Sequence, residues 1–189
     1  MRIMSSHGKP TKADKLAAFD TVVNTYEGAL IRYASRILRD TNAAQDVVQE
    51  AFIRLFRNWK ETLEPSSQLS SWLYRVTHNC AVDYLRKQTR RRNLHQRHAE
   101  EQAGHVPPDR GRGFRISESA ERAARALKTL SLREQQLVIL KVYEEKTYRE
   151  IAEITGLSVG NVGYILHHAM KKLAKAMKTE REQERGHGS

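Results

Sequence analysis

The chain has 189 residues, of which 39% are hydrophobic and 29% are charged. That length suits one medium domain or two small ones, and the apolar content is too high for a wholly disordered chain. Lysine and arginine number 33 against 22 aspartate and glutamate residues, which gives a net charge of +11. Such an excess of positive charge indicates a polyanionic partner, either nucleic acid or an anionic membrane.

Several classes of protein are excluded by what the chain lacks. No apolar run approaches the roughly 18 residues that a membrane span needs, and residues 1–15 lack the apolar core of a signal peptide. The single cysteine, Cys80, excludes an internal disulfide framework and a cysteine-based zinc site. We therefore expect a cytoplasmic protein with no cofactor, no bound metal and no membrane insertion.

Apolar residues recur at helical spacing along two blocks of the chain, which predicts an all-α fold of two small helical domains. In the first block, helices are expected over residues 14–39, 43–59 and 71–91, with a loop over 63–70. A stretch rich in glycine and proline predicts a flexible linker between the blocks. The predicted divisions are a mobile N-terminal tail (1–12), a first domain (13–94), the linker (95–116), a second domain (117–178) and a mobile C-terminal tail (179–189).

The second of these helices has an outward face opposite its apolar stripe. That face is mostly acidic, carries one exposed aliphatic residue and consists of Asp46, Gln49, Glu50, Ile53 and Arg57. On a basic protein, such a strip suggests a docking face for a basic partner. An ordinary solvated face remains the alternative.

The third helix combines cations, aromatic residues and a preceding hydroxyl-rich loop over residues 66–71. Its polar face carries Arg75, His78, Asn79 and Arg86, and a basic run follows. This composition suits single-stranded nucleic acid, because cations bind phosphates and aromatic groups stack on unpaired bases. The alternative is a solvated basic run, with Trp72 at least partly in the core.

The second block has the pattern of a helix-turn-helix. Capping boxes at Ser131–Glu134 and Thr147–Glu150 open two helices, which are expected to end near residues 143 and 156. Gly156 suits the turn, and Ser158 caps a last helix that is expected to run to about residue 178. Ser117 could cap an earlier helix that ends at residue 128.

The last helix is the predicted recognition helix, whose N-terminal half would enter the major groove. The candidates for base contact are Asn161, Tyr164, His167 and His168, with Lys171 and Lys172 expected to touch phosphates. For the lysines, a solvated helix end is the alternative.

Two ordered motifs resemble a known family. Residues 46–56, 71–79 and 83–87 resemble region 2 of a bacterial RNA polymerase sigma factor of the sigma-70 family, and residues 126–134 and 147–173 resemble region 4. The size and layout resemble the extracytoplasmic-function (ECF) group. Two positions depart from the family pattern: His78, where many members have arginine, and residues 161–165, which carry fewer cations.

The resemblance implies roles for these residues. The strip on the second helix would dock on the β′ coiled coil of core polymerase, and region 4 would dock on the β flap. The residues implied in −10 binding are Ser67, Gln68, Ser71, Trp72, Arg75, His78, Asn79, Arg86 and Lys87. Those implied in −35 binding are Ser158, Asn161, Tyr164, His167, His168, Lys171 and Lys172.

The function that the resemblance implies is promoter-specific transcription initiation. The factor would bind promoter DNA and core polymerase, be no enzyme itself, and be a monomer when free, with an anti-sigma factor as a further partner. A stand-alone helix-turn-helix regulator is the alternative, since it would bind duplex operator DNA without polymerase. A third possibility is an RNA-binding adaptor that uses the basic run at residues 90–92.

Overall fold

The structure is a computed structural model that describes residues 11–58, 64–100 and 125–186. All regular structure in those ranges is helical, which confirms the all-α prediction. The N-terminal tail up to residue 10, linker residues 101–116 and the predicted cap Ser117 lie outside the described residues. None of the described helices is both long enough and apolar enough to span a bilayer.

The first domain consists of α1 (Lys12–Leu38), α2 (Thr41–Asn58) and α3 (Ser67–Glu100). Thr11 opens α1 with a capping box in which it exchanges hydrogen bonds with Asp14, and a cap of this kind contributes about 1 kcal/mol. Arg39 ends α1 in the left-handed conformation at φ 57°. Asp40 then begins α2 by accepting a hydrogen bond from the backbone N–H of Ala43 at 3.0 Å. The chain thus reverses sharply, and α1 and α2 lie side by side.

The prediction of a loop over residues 63–70 is wrong in its second half, because α3 begins at Ser67. Ser66 is the reason. Its hydroxyl accepts a hydrogen bond from the N–H of Leu69 at 3.2 Å, and its carbonyl accepts one from Ser70 at 2.9 Å. Leu69 is also buried, which stabilises the early start. At its other end α3 continues through Glu100, so the first residues of the predicted linker are helical.

The core of the first domain lies between its three helices. Its fully buried side chains include Leu30 and Tyr33 of α1, Val48 of α2 and Leu73 of α3. The rings of Tyr33 and Tyr74 meet edge to face at 5.4 Å between centroids, a favoured geometry for aromatic pairs. One side of α3 is thereby committed to the core, which leaves a narrow outer surface for partners.

A helical turn at residues 125–128 leads into the second domain, whose helices are α4 (Leu132–Val138), α5 (Tyr148–Thr155) and α6 (Val159–Gly186). Both predicted capping boxes, at Ser131 and Thr147, are confirmed. Gly156 ends α5 at φ 72°, a conformation that glycine adopts without strain. Helices α5 and α6 form the predicted helix-turn-helix, and α6 continues to Gly186, beyond its expected end.

A π-helical turn, Ile139–Tyr143, follows α4 directly and was not predicted. The backbone N–H of Glu144 reaches back to the carbonyl of Ile139 at 3.2 Å, and that of Lys146 reaches Leu140 at 3.0 Å. Glu145 then takes a left-handed conformation at φ 52°. This widened turn ends the helix and directs Glu144 towards the first domain.

The two domains are in contact. Helix α3 packs against α5, and α1 packs against the π-helical turn. Ile151 and Ile154 of α5 are 0% and 1% exposed and belong to the same hydrophobic cluster as the core of the first domain. The sequence predicted two tethered domains and gave no indication of this contact.

Candidate nucleic-acid interface

The outward face of α2 carries the acidic strip, defined by the five α2 residues predicted to dock. Its exposed members are Asp46, Gln49, Ile53 and Arg57. Glu50 is half-buried, and its Oε1 accepts a hydrogen bond from Nε of Arg54 at 2.8 Å. A shallow groove of about 430 Å³ runs beside the strip between α1 and α2. The strip is therefore accessible to a partner along its whole length.

The outer face of α3 carries the strand surface, defined by the nine residues predicted to hold a nucleic-acid strand. Its exposed members are Ser67, Gln68, Arg75, Asn79, Arg86 and Lys87. Ser71 and Trp72 are half-buried, and Trp72 packs against the hydrophobic cluster. The expected partial burial of Trp72 is confirmed. Its remaining surface is open to solvent beside the cations.

His78, the ninth member, is the exception. It was predicted to project from the polar face, but it is 6% exposed and lies 2.8 Å from the hydroxyl of Tyr33 through Nδ1. Burial lowers the pKa of His78 to about 4, so the imidazole is neutral at pH 7. It is a structural group of the α1–α3 contact. The helical period places His78 near the boundary between the polar and the buried faces of α3. Its hydrogen-bond partner Tyr33 on α1 stabilises the buried orientation.

Acidic neighbours do little to neutralise the strand surface. Arg86 lies 3.6 Å from Asp83, and both side chains are more than half exposed. Solvent screens such a pair, so it contributes little binding energy of its own. Arg86 thus remains available to a phosphate.

The recognition helix α6 presents its predicted residues to solvent. Ser158 accepts a hydrogen bond from the backbone N–H of Asn161 at 3.2 Å and so begins the helix. Tyr164 is 67% exposed, and its ring lies 4.3 Å from that of His168. His167 meets His168 edge to face at 5.8 Å. These aromatic and imidazole groups form one exposed cluster near the start of the helix.

The two lysines of α6 differ in environment. Lys171 is exposed, whereas Nζ of Lys172 lies 2.7 Å from Oε1 of Glu134 on α4. That hydrogen bond, followed by those from Ser131, lowers the pKa of the Glu134 carboxyl. This hydrogen bond ties α6 to the start of α4, while the Lys172 side chain stays 54% exposed, so its phosphate contact remains a prediction.

Comparison with known protein families identifies both domains. The profile of Sigma-70 region 2 matches residues 22–91, and that of Sigma-70, region 4 matches residues 120–173. The chain belongs to the sigma-70 family. It is a factor of the extracytoplasmic-function group, and its function is that of an RNA polymerase sigma factor in transcription initiation.

Individual relatives agree with this assignment. The RNA polymerase sigma-E factor of Streptomyces coelicolor is 29% identical over 161 residues, which cover 84% of this chain and 85% of the relative. The ECF RNA polymerase sigma factor SigW of Bacillus subtilis is 27% identical, covering 90% and 94%. Both relatives extend across the two domains, so the similarity is not confined to the helix-turn-helix.

Solved structures show the same fold. The sigma factor RpoE, in complex with the anti-sigma factor NepR from Bartonella quintana, matches with a TM-score of 0.61 at 19% identity, over 85% of this chain and 96% of that one. CnrH, in complex with the cytosolic domain of CnrY, also has a TM-score of 0.61 at 20% identity, over 88% and 92%.

In this sigma factor, the strand surface borders a groove between the domains. The groove has a volume of about 890 Å³. The first domain contributes Arg54, Asn79, Arg86 and Arg90, and the second contributes Arg133 and an apolar wall of Leu132, Leu137 and Leu157. Guanidinium groups beside apolar side chains suit a nucleic-acid strand, because phosphates and unstacked bases each find a matching group.

Some residues of these surfaces were missed by the sequence analysis. Arg54 holds Glu50 of the acidic strip, and the four-residue spacing on a helix was the signal that could have found it. Phe56 is 56% exposed and meets Phe19 edge to face at 5.3 Å between ring centroids. Glu144 joins the domains, and no pattern in the sequence indicated that.

Proposed function

We propose that the two domains of this sigma factor divide promoter recognition between them. The acidic strip docks on the β′ coiled coil of core polymerase, and the strand surface binds the −10 element as a separated strand. The recognition helix reads the −35 element as duplex, with the second domain docked on the β flap. His78 is excluded from the strand surface in this proposal.

One observation carries the proposal: α2 presents the two carboxylates of the acidic strip to solvent, whereas the adjacent helix α3 presents mainly cations. The acidic strip lies on α2, and exposed cations at positions 75, 86, 87, 90 and 91 lie on α3. A basic protein partner and a DNA strand could therefore bind side by side without competing for one surface. Electrostatic complementarity of this kind selects the partner and its orientation.

The energetics support strand capture by the factor. Opening DNA costs on the order of 1.4 kcal/mol for each base-pair step. Stacking an extruded base on a protein group returns about 1–3 kcal/mol, and the partly open face of Trp72 is the group best suited to it. The sigma factor makes no bond itself, since nucleotide addition belongs to the polymerase.

We further propose that an anti-sigma factor binds this chain. We also propose that this chain works in the cytoplasm, together with the polymerase. The solved structures of similar fold, RpoE with the anti-sigma factor NepR and CnrH with the cytosolic domain of CnrY, motivate the proposed anti-sigma partner. The groove between the domains of this chain is lined by several arginines, which suit an acidic segment of such a partner.

Reconstituted transcription tests the proposed function. Core polymerase with the wild-type factor is expected to initiate at specific sites in a library of genomic fragments. Glu50→Lys reverses the charge at the centre of the acidic strip, and we expect core affinity to fall at least about tenfold, which is a loss near 1.4 kcal/mol. Initiation at limiting factor should fall in parallel. Fluorescence titration of labelled factor with core polymerase measures the affinity.

The matched control is Asp20→Lys, the same charge reversal at an exposed position of α1. It should leave core affinity unchanged, and circular dichroism should show both variants fully helical. Equal affinities of the two variants for core polymerase would exclude the acidic strip as the docking face. If neither the wild type nor the control initiates transcription at specific sites, the proposed function itself is refuted.

A further inference from the structure

The first turns of the recognition helix α6 carry no lysine or arginine. Residues 159–170 include none, and the first cation of the helix is Lys171. A stretch of that length rises about 18 Å, which exceeds the roughly 12 Å width of the major groove. A helix that enters the groove by its N-terminal half would therefore hold Lys171 at the phosphates, beyond the base edges.

Other cations and imidazoles near the start of α6 do not replace the missing ones. Arg149 is exposed on α5, the helix that crosses the DNA backbone in a helix-turn-helix, so it would contact phosphate. The two nitrogens of an imidazole point apart, so neither His167 nor His168 can reach O6 and N7 of one guanine together. The commonest guanine contact, a bidentate bond from arginine or lysine, is thus missing from the face that enters the groove.

The groups that this face does carry suit A·T base pairs. Asn161 is exposed in the first turn of α6, and an asparagine amide can bind N6 and N7 of adenine with two hydrogen bonds. Tyr164 follows on the same face, and its exposed ring lies 4.3 Å from that of His168. This contact restricts the orientation of the Tyr164 ring, whose apolar surface suits the C5-methyl group of thymine.

Gly160 is an independent indication that the helix approaches bases closely. Its backbone is not left-handed, a conformation that only Gly156 adopts among the described glycines. A Cβ at Gly160 would meet no neighbouring heavy atom within 4 Å, so packing does not require glycine either. It lies one turn before Tyr164 on the exposed face, where the missing side chain lets the backbone approach a ligand.

We propose that the recognition helix of this sigma factor selects A·T base pairs in the −35 element. Asn161 binds an adenine, Tyr164 packs on a thymine methyl group, and Gly160 allows the close approach. The inference rests on the proposed function, because that function places α6 in the major groove of the −35 element. Lys171 and Arg149 then add affinity that does not depend on sequence.

The test is a selection by holoenzyme that contains the full chain. The −35 region of a promoter that the wild-type holoenzyme uses is randomised, and the templates that yield transcripts are sequenced. We expect A·T pairs to be enriched at adjacent positions of this region. Enrichment of G·C pairs there, or the absence of any preference, would overturn the proposal.

Asn161→Ala and its matched control Asn42→Ala identify the adenine contact. Asn42 is exposed at the start of α2, outside every proposed DNA surface. Asn161→Ala should reduce the preference for A·T at one position by about 5- to 150-fold, the effect of losing one bidentate base contact, and leave the neighbouring positions unchanged. Asn42→Ala should retain the wild-type preference, and identical profiles for the two variants would overturn the proposal.

Two further pairs test the ring and the backbone. Tyr164→Phe keeps the ring and should keep the thymine preference, whereas Tyr164→Ala should lose it. Gly160→Ala should lower initiation from the selected promoter about tenfold, as the loss of one base-pair contact does. Gly163→Ala, on the side that faces Tyr148, should not. Alanine favours a helix at both glycines, so a loss would not come from unfolding, and equal effects within either pair would contradict the assigned contact.

Transcription by the wild type separates this inference from the proposed function. If the wild type initiates at specific sites but selects G·C pairs or nothing in the −35 region, only the inference fails. If the wild type initiates nowhere, the proposed function fails. Selection of randomised duplexes by the free full-length protein then decides the inference, with A·T enrichment supporting it and any other result overturning it.

Discussion

Helices α3 and α6 are both proposed to bind DNA, yet α6 exposes its polar side chains whereas α3 buries some of them. On α6, Asn161, Tyr164 and His167 are all exposed. On α3, Thr77 is 0% exposed and His78 is 6% exposed, although both belong to the motif that resembles a strand-binding region. The difference follows from what each helix packs against.

Helix α3 is enclosed on several sides, because it contacts α1, α2 and α5. Among the described elements, helix α6 packs chiefly against helices of its own domain, namely α4 and α5. A helix with one buried side can change its outer residues at little cost in stability, since surface substitutions seldom exceed about 0.5 kcal/mol. The recognition helix is thus free to diverge in sequence, whereas α3 must serve the core and the DNA with one set of residues.

The largest expected difference between the two helices concerns stability against pH, because the buried His78 of α3 must be protonated at low pH. The imidazole has a pKa of about 4 in the folded protein against its ordinary value of 6.5, so between these pH values the unfolded chain binds the extra proton. The contribution to stability is complete above pH 6.5 and is lost as the pH falls towards 4, by about 3 kcal/mol in total. Between pH 7 and pH 5, we expect a loss of about 2 kcal/mol that is absent in His78→Gln.

Urea unfolding at a series of pH values measures this loss. Carboxyl groups also titrate in the range, so the quantity to compare is the difference between wild type and His78→Gln at each pH. His168→Gln, an exposed imidazole on α6, is the control and should follow the wild-type curve. Parallel curves for wild type and His78→Gln would show that His78 does not lose its proton on folding.

Two glycines of the helix-turn-helix are expected to respond oppositely to alanine. Gly156→Ala forces a side chain into the left-handed conformation at φ 72° and should destabilise the protein by about 1 kcal/mol. Gly163 lies within α6, and a Cβ there would meet the ring of Tyr148 at 3.6 Å, an ordinary contact. Gly163→Ala should therefore stabilise by about 0.5–1 kcal/mol. Thermal unfolding measures both, and shifts of the same sign would contradict the assigned turn.

Local signals were sufficient to predict much of the fold. The capping boxes at Ser131 and Thr147 begin helices because each satisfies free backbone N–H groups with residues three positions apart, which the sequence displays directly. Gly156 likewise predicts a turn with a residue in the left-handed conformation. The acidic strip and the face of α6 followed from helical period alone, since neither is covered by another element.

The largest of the missed features depend on contacts distant in sequence. His78 turns inward because Tyr33, 45 residues earlier, supplies a partner. Glu144 is 108 residues from Arg36 and 70 from Tyr74, and no periodicity couples such positions. The π-helical turn that aims Glu144 has no sequence signature of its own. Prediction therefore stopped at the boundary between the domains.

A last expected effect concerns Thr77, the other polar residue that α3 turns inward. Its Oγ1 is buried and has no hydrogen-bond partner within the part of the chain that the structure describes. An unsatisfied buried hydroxyl costs about 1–3 kcal/mol, and valine has nearly the same shape without it. We expect Thr77→Val to raise the free energy of unfolding by about 1 kcal/mol in urea titrations. Thr89→Val, which removes a hydroxyl that donates to the Leu85 carbonyl at 2.9 Å, should give no gain. If Thr89→Val raised the free energy of unfolding as much as Thr77→Val does, the cause would be the preference for valine along α3. The buried hydroxyl of Thr77 would then not be the cause.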